Sequence, residues 1–390
     1  MKVKQLHELV NAVTQEVLGE TAVVQDDLSN VVAIGKEVID TDNIDNYVKK
    51  LVNHIGKVVF VNRLYAGGVP SVLMDSWEYG SILEKISADL PKATENKSWD
   101  LNDGENYSPD VFYKPSVSAQ FFNSKITFEI PLSFTEKQVK ESFSSPNQLN
   151  GFISMLTTSV ENAMTVKLDA LIMRTISNMV GETVSVELDP EATGEIDFTA
   201  TSVKAVNLLK LFNEGKDAGE QVTAQTALLD PAFIRFATYT IGIYSDRMSK
   251  ISTLFNVGGK ERFTPKDLQN TVLLSDFAMA SETFLRADLQ NAEKVNLPKH
   301  DTVPYWQGSG ETYSFEDVSK INVKTSTGKD VEMTGLIGVM FDRDALGVTN
   351  LDRRVTTNYN PKAEFYTNFY KFDAGYFNDL NENFVVFYVG

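Results

Sequence analysis

The sequence predicts an α+β chain, and three stretches carry that prediction. One is an apolar stripe at helical spacing from Ser144 to Gly181, far longer than an ordinary helix. The second is a run of short strand patterns that ends in an aromatic-rich terminus. The third is a polar, acidic excursion over residues 62–127 that separates the N-terminal helices from the rest.

The N-terminal stretch, residues 1–43, mixes helical spacing with polar breaks. Leu6, Val10, Val13, Val17 and Leu18 share one helical face, yet nothing suggests that this arm has its own core. A clearer helix covers 44–55, with Ile44, Tyr47, Val48, Leu51, Val52 and Ile55 on one face and Gly56 as its stop. The β-rich run Val58-Val59-Phe60-Val61 follows.

Between Asp75 and Asp110 acidic residues are dense, and Lys85, Lys92 and Lys97 are the only cations. Trp77, Trp99, Tyr107, Phe112 and Tyr113 are spaced through or just beyond it. Such a stretch is either a solvated loop or an arm whose aromatics anchor on another subunit, since large amphipathic rings are typical interface anchors. A strand over Ile126–Ile130 ends the excursion.

Ser144-Ser145-Pro146 is a helix start, with a hydroxyl cap and proline in the first turn. The stripe that follows predicts a helix of roughly 35 residues, about 50 Å long. It is one-sided, with Glu161, Lys167, Asp169 and Arg174 on other faces, and it does not hold a strict heptad, which disfavours a coiled coil. A shorter helix is expected near Ser202–Asn213, a buried strand over Gln225–Leu229, and a helix capped by Asp230-Pro231 through about Asp246. Strands are expected over Thr271–Leu274, Ser281–Asp288, Lys320–Lys324 and Leu336–Phe341. Eleven aromatics fall in the last 32 residues, where the chain average of 11% gives three or four; this end reads as sheet core.

Composition excludes whole classes of function. With no cysteine among 390 residues there are no disulfides, thiolate zinc sites, iron–sulfur clusters or cysteine nucleophiles. A formal net charge of -17 argues against a surface built to grip nucleic-acid phosphates. No apolar segment follows the start and no run reaches the roughly 20 residues of a membrane helix, so the chain reads as soluble and made in a reducing cytosol. His7, His54 and His300 fall in no metal or catalytic motif, and His54, beside helical core positions, reads as structural. Asp40 with Asp42, and Asp342 with Asp344, begin like calcium loops but fail at Ile44 and Leu346. Gly258-Gly259-Lys260 lacks the rest of a phosphate loop. Paired carboxylates are plentiful at this charge, which leaves a glycosidase-type pair open. Arg343, Arg353 and Arg354 form too small a cluster for a nucleic-acid footprint and are expected to pair with carboxylates within or between chains.

The order of these features resembles the Hong Kong 97 type of tailed-phage major capsid protein, and within it the phi-29-like group. Asn46–Leu64 (NYVKKLVNHIGKVVFVNRL) is similar to that group's short helix before the extended loop. Gly151–Val180 resembles its spine helix, and Val339–Val389 its closing strands with the same aromatic density. The resemblance implies an N-terminal arm over 1–56, an extended β-hairpin loop over 57–130, a peripheral domain from 131–220 plus 340–390, and an axial domain over 221–339. It implies a non-enzymatic shell subunit without cofactor or metal, assembled in the host cytoplasm into the virion's icosahedral head. The partners implied are pentamers and hexamers of itself, a separate scaffolding protein, a portal protein, and packaged double-stranded DNA held by weak non-specific contact, with no membrane. Trp77, Trp99, Tyr107, Phe112, Tyr113, Arg353 and Arg354 become candidate inter-subunit contacts. Two alternatives stay open: an encapsulin-like compartment with the same fold, and a carbohydrate-acting or surface-binding protein.

Overall fold

The computed structural model describes residues 3–19, 24–25, 29–40, 43–61, 69, 72–74, 83–88, 95, 99, 101–105, 110, 112, 114, 116–189, 195–286, 297–307 and 312–390. Its elements, in chain order, begin with helices α1 (Val3–Leu18), α2 (Val31–Asp40) and α3 (Ile44–Val61), then strands β1 (Leu73–Met74), β2 (Leu83–Ala88), β3 (Val117–Phe122) and β4 (Lys125–Thr135). Next come α4 (Glu136–Ser142), α5 (Pro146–Glu187), β5 (Ala205–Asn207), α6 (Leu208–Asn213), α7 (Pro231–Met248), β6 (Gln269–Leu274) and α8 (Ser275–Arg286). The chain closes with β7 (Asp301–Val303), α9 (Phe315–Val318), β8 (Ile321–Lys324), β9 (Asp330–Met333), β10 (Leu336–Asp342), β11 (Leu346–Asn360), β12 (Phe365–Asn378) and β13 (Phe384–Tyr388). The class is α+β, as the sequence predicts. Contacts divide the chain into two compact units: Met1–Ser76 with Lys125–Ile172 and Val348–Gly375, and Trp77–Ser124 with Met173–Gly347 and Tyr376–Gly390.

The first unit holds a four-stranded sheet in the order β1-β11-β12-β4. β12 and β4 pair antiparallel from Phe365↔Thr135 to Gly375↔Lys125. Alternate residues of β12 are buried, which puts Tyr366, Asn368, Tyr370 and Phe372 on the core face. Phe134 joins them, edge-on to Phe152 of α5 at 5.3 Å between ring centres. The arm departs from expectation here. Val10, Val13, Val31, Val38, Tyr47 and Val48 are fully buried, so the N-terminal helices do have a core. Tyr47 meets Phe143 edge-on at 5.2 Å, and Gly35 lies so close to that ring that a Cβ would stand 2.4 Å from Phe143 Cβ. The arm is therefore anchored, through one aromatic side chain just past α4.

The second unit holds a five-stranded mixed sheet in the order β5-β13-β10-β6-β7. One face packs on α7 and α8 through Phe233, Ile234, Ile241, Phe277, Ile337 and Phe387. β10 and β13 are buried along their whole length on both faces. Gly335 sits at φ +80°, where a Cβ would meet the Val389 carbonyl oxygen at 1.9 Å; this turn needs glycine.

Several local expectations change. α3 runs on to Val61, absorbing Gly56 and the β-rich run Val58–Val61. α5 is 42 residues long and passes through Gly181, where a Cβ would reach Val323 Cγ2 at 2.4 Å; the glycine is kept for the approach of β8, not as a stop. Its stripe is one-sided to about Leu168, but from Leu171 to Val184 it is buried nearly all round. Residues 225–229 are not a strand: Ala227–Leu229 form a 3-10 turn with Leu229 exposed. Of the expected strand Ser281–Asp288, Ser281–Arg286 is helical, as the end of α8, and the last two positions lie outside the described residues; the segment before α6 is strand β5. Asp230 caps α7 as expected, accepting from the N–H groups of Ala232 and Phe233.

Candidate assembly surfaces

β2 and β3 form an antiparallel hairpin of the second unit, in register from Leu83↔Phe122 to Ala88↔Val117. Successive strand residues point to opposite faces. One face carries Glu84, Ile86, Val117, Ala119 and Phe121. Its large side chains are open to solvent: Ile86 is 66%, Phe121 64% and Val117 59% exposed. The other face carries Lys85 and Gln120.

The span between the two strands holds most of the predicted aromatic anchors. Trp99 is 98% and Phe112 84% exposed, with Leu101 also open. Trp77, Tyr107 and Tyr113 lie outside the described residues. No stabilisation within one chain explains an indole left almost wholly in water, whereas an interface anchor is expected to look this way before its partner arrives.

The structure separates the two arginines. Arg354 forks onto Asp373, with Nη1–Oδ2 at 2.9 Å and Nη2–Oδ1 at 3.3 Å, and Thr127 donates to the same carboxylate at 2.6 Å. Burial works to raise the Asp373 pKa, but the Arg354 and Thr127 hydrogen bonds outweigh it and hold it below the usual carboxylate range. Arg354 is thus committed within its own chain, although both it and Arg353 are exposed on the strand.

Sequence reasoning missed Lys85. Its Nζ lies 2.8 Å from Asp379 Oδ2 and 2.8 Å from Glu382 Oε1, and donates to the Asp344 carbonyl at 3.1 Å. Burial pulls the ammonium's pKa down, yet the two carboxylates more than offset this and leave it raised. The signal was its rarity: one of three cations in an acidic stretch.

Of the two calcium-like pairs, Asp42 lies outside the described residues. Asp342 accepts from the Thr264 hydroxyl at 2.7 Å and from the Asp344 N–H at 2.9 Å, so each of its oxygens is tied into a local hydrogen bond. Among the described residues no cluster of acidic or histidine side chains is placed to hold a metal ion, and no helix is long and apolar enough to cross a membrane. The rings of His7 and His300 hydrogen-bond to backbone carbonyls of Val24 and Pro298.

No curated protein matches the chain. Among solved structures, the capsid of Staphylococcus phage Andhra aligns at 8% identity over 84% of this chain and 86% of that one, with a TM-score of 0.49. The capsid of cyanophage P-SCSP1u aligns at 11% identity, 82% and 86% coverage and 0.46. The mature capsid of bacteriophage PhiM1 aligns at 7% identity, 84% and 88% coverage and 0.46. The model of the Phi29-like phage major capsid protein family matches residues 10–388. That match decides between a phage shell and the two alternatives in favour of the phage shell. With the β2–β3 hairpin, the spine helix and the aromatic closing strands all inside the matched span, the chain belongs to the Phi29-like phage major capsid protein family and is a building block of a phage capsid.

Proposed function

We propose that copies of this chain close into an icosahedral head of pentamers and hexamers around double-stranded DNA, with residues 57–130 reaching onto neighbouring subunits. Residues 1–56 act as the arm, 131–220 with 340–390 as the peripheral plate, and 221–339 as the axial part. The observation that carries this reading is the pair of solvent-exposed rings, Trp99 and Phe112, between two strands whose outer face is itself apolar. Heterologous contacts that close into rings need adjustable surfaces of this kind. Each contact can be weak, since many act together in a closed particle.

The work is then done by contact surfaces and not by a reaction. A separate scaffolding protein directs closure in the host cytoplasm and a portal protein occupies one vertex. Packaged DNA is touched weakly, which suits a subunit of net charge -17, because a basic lumen would grip phosphates and hinder release. The test replaces residues 90–115 by an Asn-Gly turn, which closes a two-residue hairpin. The expected product folds but forms no closed shells by sedimentation and negative-stain microscopy; normal particles overturn the reading.

A further inference from the structure

The β2–β3 hairpin belongs to neither large sheet. Two strands alone are marginal in water, so its placement depends on what its inner face touches. At one end Phe122 meets Phe377 with ring centres 5.2 Å apart. Further along, Lys85 offers its three ammonium hydrogens to Asp379, Glu382 and the Asp344 carbonyl. Gln120, directly across from Lys85, adds a bond when its amide is oriented to match its neighbours, donating to Asp379 Oδ1 at 3.0 Å.

The receiving niche is built independently of the hairpin. The turn between β12 and β13 is fixed by Asp379 N–H donating to the Ala345 carbonyl at 2.7 Å and Gly258 N–H to the Leu380 carbonyl at 2.8 Å. The Asn381 N–H donates to Asp379 Oδ1 at 3.0 Å. Arg262 reaches Glu382 at 3.3 Å. The Asp379 side chain is almost wholly buried, and Lys85 is the cation paired to it among the described residues. Buried ion pairs contribute little net stability but penalise every arrangement that breaks them. This one has a geometric consequence. Lys85 and Ile86 are consecutive in a strand, so a lysine seated inward obliges Ile86, Val117 and Phe121 to face outward. A slip of one residue would bury those three and expose the ammonium.

We propose that Lys85 is an electrostatic latch: its ammonium, seated between Asp379 and Glu382, holds the β2–β3 hairpin on its own chain and aims the apolar face of Ile86, Val117 and Phe121 at a second copy. The latch stands on the geometry alone; the choice of a second copy rests on the reading of residues 57–130 as an inter-subunit loop. The face carries Glu84 and no cation, so the patch it meets is apolar with a basic rim.

Hydrogen exchange on the unassembled full-length chain tests the latch. In Lys85→Gln the amides of 83–88 and 117–122 exchange at least about tenfold faster than in the native chain, while β10 and β13 are unchanged. Lys85→Arg keeps the charge and restores most of the protection. Unchanged hairpin exchange in Lys85→Gln overturns the latch, as does an equal loss of protection in β10 and β13. If Lys85→Gln does not fold, Glu382→Gln, which leaves Lys85 its bond to Asp379, is compared with Lys85→Arg, and equal hairpin exchange in those two overturns it. The double variant Ile86→Ser, Phe121→Ser keeps native hairpin protection and loses closed particles. Normal particles from it overturn the outward contact and leave the latch standing.

Discussion

The two large sheets solve different problems with the same residue types. In the second unit β10 and β13 read LIGVMFD and FVVFY and are buried on both faces. In the first unit β12 reads FYTNFYKFDAGYFN and buries every second residue, while β4 exposes the alternate ones. The difference is one of pattern as well as of hydrophobicity. A continuous apolar run demands cover on both sides, and an alternating one leaves a face for water or for a neighbour. The inner sheet is therefore where stability resides, and the alternating sheet is where surface can change at low cost.

The sharpest break of this contrast is Phe387→Ala. Phe387 packs edge-on to Tyr244 at 5.4 Å in the inner sheet's core, and its loss costs about 3–5 kcal/mol. Urea denaturation reads this as a large fall in midpoint. A loss under about 1 kcal/mol would mean the inner sheet is not the stability centre. Tyr370→Phe on β12 probes the alternating sheet. Its hydroxyl is buried without a hydrogen-bond partner among the described residues, and burial raises its pKa well above that of a free tyrosine. Removing it leaves stability unchanged or raised by up to about 1 kcal/mol. A clear destabilisation would show that the hydroxyl has a partner.

The smallest effect is a pH slope. Glu136, at the start of α4, is held below the usual carboxylate range by hydrogen bonds from Lys140 and Tyr359, the latter at 2.8 Å. A depressed folded pKa contributes stability that is fully present above the unfolded value of 4.5 and fades as pH falls through the folded pKa. Glu136→Gln flattens the loss of urea midpoint below about pH 4.5 in proportion, and changes stability at neutral pH by no more than about 1 kcal/mol after screening of this partly exposed pair. An unchanged acid slope would remove Glu136 from the balance.

Much of the fold was legible because local pattern and burial agree. The Ser-Ser-Pro start of α5, its stripe and the aromatic terminus are read correctly, and so is the Asp230 cap. The misreadings fall where tertiary contacts override local preference. Gly181 sits mid-helix because Val323 packs against it, whereas Val58–Val61 is helical against the β preference of its three valines. Ser281–Arg286 belongs to α8, where Ala278 and Ser281, three apart, share the buried face. Of the candidate contact residues, Trp99 and Phe112 are singled out by their place in the acidic stretch, and the structure leaves both rings exposed. Lys85 is not singled out, because its partners Asp379 and Glu382 lie about 300 positions away in sequence.

By itself the sequence determined the class, the spine helix, the aromatic sheet and the family, since each depends on order and spacing along one chain. It also determined the lack of cysteine chemistry. Only the tertiary structure decided that the arm is anchored on Phe143, that Arg354 is spent on Asp373, and that Lys85 occupies a niche from the far end of the chain. The reason is physical. Periodicity records which face of an element is apolar, whereas the pairing of a charge depends on which distant turn the fold brings within about 3 Å of it.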